Sequence, residues 1–227
     1  MPWHALLFVL PLMVIYELGT GMHDTAVAVT SARVLATDDL ARAFGFFGAT
    51  GKLMPPAAVI VLLLAMHIAR KDDWAPSPAA LAGMVGESAA LALPLVVLGL
   101  LMANVMLVGD MLLASVVEND RTRSLVLLSL GAGVYEELVF RLIAVPVLII
   151  VLGDVLGLKP TSALVLAVVV SGVAFSLHHY RGTEAFAWPS FAFRALAGVY
   201  FGVLFHLRGF GIAAGTHAAY DLLVVLG

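Results

Sequence analysis

Long uncharged apolar runs dominate this sequence and restrict what the chain can fold into. The clearest is residues 88–109, where 22 positions without a formal charge separate Glu87 from Asp110. A helix of about 20 apolar residues spans the hydrocarbon core of a bilayer. Apolar residues make up 62% of the chain and charged residues only 12%, which is about half the charged fraction of a soluble domain. The sequence therefore predicts an integral membrane protein.

Further spans are predicted wherever charges and turn residues bracket an apolar run. Strands are not supported, because apolar and polar residues do not alternate and the runs are too long. We expect an all-α, polytopic transmembrane helical bundle of about seven spans (six to eight), forming a single integral membrane domain over residues 1–227. The predicted spans are residues 3–18, 53–69, 88–109, 124–152, 161–179, 190–207 and 209–226.

The connections between these spans carry most of the charged residues. Residues 19–52 form a long connection, in which we predict an amphipathic or re-entrant helix near LARAFGFFGA. The polar stretch ENDRTR, residues 118–123, is interpreted as a loop. No Lys or Arg precedes the first apolar run, so we interpret residues 3–18 as a retained span and not as a cleaved signal peptide.

Charge and cysteine content exclude several classes of function. The formal net charge is −3, so the chain lacks the basic surface that binds nucleic acid. The chain contains no cysteine. Disulfides, thiolate nucleophiles and thiolate metal ligands are therefore excluded together.

Three charged side chains lie inside one predicted span, in the stretch GVYEELVFRL. A charge at the bilayer centre costs roughly 2.5–3.5 kcal/mol on insertion scales, so such residues face the bundle interior and are usually functional. Glu137 and Arg141 are four residues apart, which favours an ion pair on one helix face. Glu136 lies about 100° further round the helix and is left as a candidate general base. A purely structural ion pair that fixes helix packing is the alternative interpretation.

Two further polar clusters lie on separate apolar spans. In AFSLHHY, Phe175 and His179 share a helix face; in GTHAAYD, His217 and Asp221 do the same. An Asp one turn from a His can accept its ring N–H and set its tautomer. A single histidine in such a span is more often a packing residue. Three polar clusters on three spans, however, can all avoid lipid only in the bundle interior.

The three clusters match known motifs in order. EELVFR fits the pattern EExxxR, FSLHH fits FxxxH, and HAAYD fits HxxxN/D. In these motifs the sequence resembles the CAAX protease and bacteriocin-processing family, also called the abortive-infection family, which includes the type II CAAX prenyl endopeptidases. The resemblance covers residues 122–226, which we expect to form the motif-bearing catalytic core.

The resemblance implies an intramembrane endopeptidase that hydrolyses a peptide bond with a Glu-activated water. Its substrate would be a peptide or protein in or at the membrane, prenylated CAAX-type proteins being one class. By this resemblance Glu136 is the base that activates water, and His179 shares that water. The protein would lie in the plasma membrane of a prokaryote or in an endomembrane.

The resemblance also implies roles for the other motif residues. Glu137 and Arg141 would hold the motif helix or help to bind substrate. Phe175 would pack beneath His179. His217 and Asp221 would polarise the scissile carbonyl or stabilise the oxyanion.

Two versions of this chemistry remain open from the sequence. An ionised Asp221 accepts hydrogen bonds but cannot donate one to an oxyanion. In a version without a cofactor, Glu136 and His179 activate water while His217 stabilises the oxyanion. In a metal version, Glu136, His179 and His217 bind a divalent metal such as Zn²⁺ and leave one position for water.

Two other classes of function fit buried Glu and His residues. One is a non-catalytic membrane immunity or scaffold relative, in which the polar clusters bind a partner or fix the structure. The other is a proton- or ion-coupled transporter, since Glu and His chains also mark ion pathways. The complete set of motif residues argues against the first, and the lack of paired half-helices or repeats argues against the second.

Overall fold

The described part of the chain is built from α-helices and π-helical turns. The computed structural model describes residues 1–21, 34–46, 48–51, 53–106, 118–181 and 184–227. Regular secondary structure in these ranges is helical throughout, so the predicted all-α class is confirmed. The α-helices are α1 (Pro2–Gly21), α2 (Leu35–Phe46), α3 (Met54–Arg70), α4 (Pro78–Met106), α5 (Glu118–Glu137), α6 (Val145–Ile150), α7 (Pro160–His179), α8 (Trp188–Arg208) and α9 (Phe210–Leu226).

Helix α5 continues without a break into further α- and π-helical segments, which together form one long helix. A π-helical segment, Leu138–Ala144, follows α5 directly, then α6, then a second π-helical segment, Val151–Val155. π-Helical turns are rare and are frequently found at functional sites. The first π-helical segment begins immediately after the two adjacent glutamates, so the long helix changes from α to π geometry at the motif.

Within the described ranges, five helical stretches are long and apolar enough to cross a membrane, and α3 and α9 are shorter apolar helices. The chain is an integral membrane protein, and these helices agree with the predicted six to eight spans. The five long stretches are Pro2–Gly21, Pro78–Met102, Thr122–Val155, Pro160–His179 and Trp188–Arg208.

Two predicted boundaries differ from the structure. The stretch ENDRTR is not a loop, because residues 118–123 belong to α5. It contains neither Gly nor Pro, so its polar residues extend the helix. The span predicted at 88–109 begins earlier, at Pro78, because proline is well accommodated in a first helical turn. Its last residues, 107–109, lie outside the described ranges.

Helix α2 is the amphipathic helix that was predicted in the long connection. It spans Leu35–Phe46 and buries Ala36, Thr37 and Leu40, while its other residues are partly or fully exposed. The buried residues Val34, Ala36 and Leu40 join a core formed mainly by α1, α3 and α5. Residues 22–33 of the predicted connection lie outside the described ranges.

Close helix crossings in the C-terminal half depend on glycine. A Cβ on Gly133 of α5 would lie 2.8 Å from the carbonyl oxygen of Ala214 and 2.7 Å from the Cβ of Ala218, both on α9. A Cβ on Gly198 of α8 would lie 2.8 Å from the Cα of Gly172 on α7. Gly202, four residues later on α8, would place a Cβ 2.8 Å from Val168 Cγ1 on α7. This GxxxG pair therefore packs inside the bundle, as expected of small residues at membrane helix interfaces.

Candidate active site

The three polar clusters of the sequence meet in the bundle interior. Glu136 and Glu137 end α5, His179 is the last residue of α7, and His217 lies in α9. Glu137 is fully buried, Glu136 and His217 are nearly so, and His179 is partly buried. Among the described residues, buried Asp, Glu, Lys and Arg side chains are confined to Glu136, Glu137 and Arg141.

The predicted ion pair between Glu137 and Arg141 is present. Arg141 Nη1 donates to Glu137 Oε1 over 2.9 Å, and both side chains are completely buried. Arg141 Nη2 donates to the backbone carbonyl of Gly198 on α8, also over 2.9 Å. The guanidinium lies 4.5 Å from the centre of the Phe175 ring, within the range of a cation–π contact. Arg141 thus joins the motif helix to α7 and α8.

Glu137 also binds His217, a contact that the sequence did not predict. Its Oε1 accepts a hydrogen bond from His217 Nδ1 over 2.9 Å. The carboxylate therefore fixes the proton on Nδ1. Asp221 was expected to set this tautomer, but its Oδ2 lies 3.6 Å from the other nitrogen, Nε2, which is too long for a hydrogen bond. The expectation was wrong because the four-residue spacing of His217 and Asp221 within α9 gives no information about Glu137, a carboxylate on α5 that binds the same ring.

Phe175 contacts His179 in two ways. The backbone carbonyl of Phe175 accepts a hydrogen bond from His179 Nδ1 over 2.9 Å. The two rings pack edge to face with centroids 4.9 Å apart. Since the carbonyl only accepts, the proton sits on Nδ1 and a neutral His179 presents Nε2 as an acceptor.

Glu136 faces both histidines. Its Oε2 lies 3.9 Å from Nε2 of His179 and 3.9 Å from Nε2 of His217. This oxygen is buried and has no hydrogen-bond partner among the described residues. A separation of this size between polar atoms is the length that one bridging water spans. The three atoms therefore mark a place for a small polar molecule.

Neighbouring helices hold this arrangement in place. Ser171 of α7 donates to the backbone carbonyl of Phe140, inside the π-helical segment, over 2.6 Å. The ring of Phe201, on α8, stacks on His217 with centroids 4.6 Å apart and planes 16° apart. A hydrogen bond from α7 thus supports the π-helical segment, and a stacked ring from α8 supports His217.

A second polar cluster adjoins the site and was not predicted. Asp39 Oδ2, on α2, accepts hydrogen bonds from His178 Nε2 over 2.8 Å and from Arg181 Nη1 over 2.6 Å. Partial burial alone would raise the pKa of Asp39, but these two donors outweigh it and lower the pKa below its ordinary value. The adjacent histidines in FSLHHY were the only sequence feature that pointed to this position.

The donor atoms at the site do not form a recognisable metal centre. Across the described ranges, no three His, Asp or Glu side chains are grouped so that they could hold one metal ion. Glu136, His179 and His217, the candidate ligands of the metal version, do not form such a group in this structure.

Comparison with protein families agrees with the motifs. Residues 120–223 match the family model described as type II CAAX prenyl endopeptidase, Rce1-like. This match supports the resemblance to the CAAX protease family that the motifs predicted. This range is nearly the predicted core of 122–226 and contains every motif residue named above. Comparisons with curated proteins and with solved structures each found no match.

Similarity to this family points to a hydrolase that acts on a protein substrate at the membrane. The fold agrees with this, because the family region contains helical stretches that are long and apolar enough to cross a membrane. The matched range begins at residue 120, so α1–α4 lie outside it.

Proposed function

We propose that this protein is an intramembrane endopeptidase in which Glu136 activates the attacking water. One observation carries this assignment: the unpartnered Oε2 of Glu136 lies 3.9 Å from Nε2 of both His179 and His217. Packing alone does not account for three helices from different parts of the sequence bringing a carboxylate and two imidazoles together, because a buried oxygen without a partner costs free energy.

In the first step a water binds between Glu136 and His179. It donates one hydrogen bond to Glu136 Oε2 and the other to Nε2 of His179, whose Nδ1 is engaged by the Phe175 carbonyl. Glu136 then removes a proton as the water oxygen attacks the carbonyl carbon of the scissile bond. The new carbon–oxygen bond forms as the carbonyl electron pair moves onto oxygen.

In the second step His217 stabilises the oxyanion. Because Nδ1 of His217 already donates to Glu137, Nε2 can donate to the oxyanion only when the ring is an imidazolium. Glu137 is then the counter-charge of that cation. When the intermediate collapses, Glu136 returns the proton to the amide nitrogen, the carbon–nitrogen bond breaks, and the amine leaves.

Glu137 and Arg141 act in this scheme by positioning. Arg141 holds Glu137, and Glu137 holds the ring of His217. Asp221 lies 3.6 Å from Nε2 of His217, where an ionised carboxylate can attract the imidazolium but cannot donate to the oxyanion. We therefore assign Asp221 to the electrostatic support of His217.

Cleavage of internally quenched peptides by the purified protein in liposomes tests this function. A library should include C-terminal cysteine peptides with and without a prenyl group, since the family name implies that class of substrate. We expect the wild type to cleave a member of the library and Glu136→Gln to be slower by about 10²–10⁴-fold, the usual contribution of a general base. Full activity of Glu136→Gln on such a substrate would overturn the assignment of the base.

A chelator arm tests the chemistry without a metal. Because Glu136 and the two histidines supply the base and the oxyanion donor, we expect cleavage to persist after dialysis against a strong chelator. Loss of cleavage on chelation, restored by added Zn²⁺, would show that the metal version is correct.

The matched control for Glu136→Gln is Glu184→Gln, at an exposed carboxylate that pairs with Arg194.

A further inference from the structure

A helix outside the family region reaches the end of the helix that carries His179. Asp39 of α2 accepts hydrogen bonds from His178 and Arg181 through one oxygen, Oδ2. These two donors lie one residue before and two residues after His179. The carboxylate therefore brackets the histidine that faces Glu136, without touching it.

Both sides of this contact are anchored. His178 is buried, and its ring packs edge to face on Phe140, in the π-helical segment, with centroids 5.2 Å apart. On the other side, Ala36 and Leu40 of α2 are packed into the core. An ion pair between anchored side chains fixes the position of the elements that carry them better than a pair of mobile side chains does.

The end of α7 needs such an anchor. Helix ends fray, because their last carbonyl groups lack partners within the helix. The residue after His179 is Tyr180, which has φ −82° and ψ 2° and does not form a left-handed cap. The hydrogen bond from His179 to Phe175 orients the ring on α7, but it does not fix α7 relative to Glu136.

We propose that Asp39 is a positioning residue for the hydrolytic reaction. It holds the last turn of α7 so that Nε2 of His179 stays opposite Oε2 of Glu136, and it gives α2 a part in catalysis. This inference rests on the proposed function, because it assumes that His179 shares the attacking water. A misplacement of about 1 Å at a reacting group can lower the rate about 10²-fold.

Steady-state kinetics of Asp39→Ala provide the test, with Asp38→Ala as the matched control. Asp38 is the neighbouring carboxylate on α2, and it lines a cavity of about 370 Å³ between α1, α2 and α3. We expect kcat of Asp39→Ala to fall by about 10–100-fold, as for other residues that orient catalytic groups, with KM unchanged. Asp38→Ala should keep the kcat and KM of the wild type.

Two further variants separate positioning from a general loss of structure. Asp39→Glu keeps the carboxylate and should recover most of kcat. His178→Phe keeps a ring against Phe140 but removes the donor to Asp39, so its kcat should fall as well. In the double variant Asp39→Ala/His178→Phe the losses should not add, because both changes remove the same bond.

Each outcome decides a different point. Unchanged kcat in Asp39→Ala, beside an active wild type and an inactive Glu136→Gln, would overturn the positioning role and leave the proposed function intact. A raised KM with unchanged kcat would also overturn it, since Asp39 would then act on substrate binding. Additive losses in the double variant would show that Asp39 and His178 act separately. A wild type that cleaves no peptide would refute the proposed function itself.

Discussion

The two halves of this bundle are held together by different kinds of contact. In the N-terminal half, α1 and α3 meet through large apolar side chains such as Val9, Met13 and Leu63. In the C-terminal half, α5 and α9 meet at Gly133, and α7 and α8 meet at Gly172 and Gly198. The buried charges of the described residues lie in this second half.

The difference reflects what each half has to do. Large side chains separate helix axes but fill the space between them without directional demands. Small residues let backbones touch, and short side chains such as His and Glu can then reach one another across a helix pair. Glu137, which binds His217, lies one helical turn from Gly133, where a Cβ would meet the backbone of α9 at 2.8 Å. The C-terminal half therefore has small residues at its helix crossings, which allow polar side chains of different helices to reach one another.

Removal of the buried arginine should give the largest effect. Arg141→Met keeps an unbranched side chain but leaves Glu137 buried without its cation, so we expect the free energy of unfolding to fall by about 3–5 kcal/mol. Arg70→Met, at an exposed arginine that ends α3, is the control and should unfold like the wild type. Unfolding in detergent micelles with increasing denaturant measures both. Equal losses of unfolding free energy in Arg141→Met and Arg70→Met would contradict the distinction between the halves.

A cavity in the N-terminal half should affect stability without affecting chemistry. Leu63 is 1% exposed, and Leu63→Ala should lower the free energy of unfolding by about 2–5 kcal/mol because the cavity cannot fully collapse. The kcat of the folded protein should stay at the wild-type value, as measured with the quenched peptides below the unfolding transition. A large loss of kcat would mean that the N-terminal core also places catalytic groups.

Gly133→Ala should separate α5 from α9. The new Cβ would meet backbone atoms of α9 at 2.8 Å, so we expect a loss of about 1–3 kcal/mol from overpacking together with a lower kcat. Gly83→Ala in α4 is the control, since a Cβ there meets nothing within 4 Å and alanine favours a helix by about 0.5–1 kcal/mol over glycine. Wild-type stability in Gly133→Ala would contradict the close crossing.

Ser171→Ala should have the smallest effect. It removes the donor to the Phe140 carbonyl in the π-helical segment, and a neutral hydrogen bond of this kind contributes about 1 kcal/mol to stability. Ser162→Ala, on the exposed first turn of the same helix, should be neutral. Thermal unfolding measured for both variants would show whether the π-helical segment is held by this contact.

One contact within a helix was predicted correctly from the sequence, another within α9 was not, and those between helices could not be predicted. The pair of Glu137 with Arg141 follows from a spacing of four residues, and it is present. The bond from His217 to Glu137 joins residues 80 positions apart, and the bond from His178 to Asp39 joins residues 139 positions apart. Hydropathy places such residues in the interior, but it does not say which helix faces which.

The positions of most helices were predictable from hydropathy. Long apolar runs predict membrane spans, because a backbone in lipid must satisfy its own hydrogen bonds and a helix does so. The error at ENDRTR arose because charges were treated as the end of a helix, while α5 extends through them. The π-helical segment could not be inferred, since its sequence LVFRLIA is as compatible with an ordinary α-helix.

His179 ends α7, and α8 begins only nine residues later, at Trp188. Nε2 of His179 is therefore carried by the last residue of a helix that is long and apolar enough to cross a membrane, and not by its middle. Under the proposed function, the water shared by His179 and Glu136 would be taken up near a helix end, where the apolar path from the aqueous phase is shorter than it is to the helix centre. A peptide bond close to the membrane surface would reach such a position more readily than a bond at the middle of a transmembrane helix.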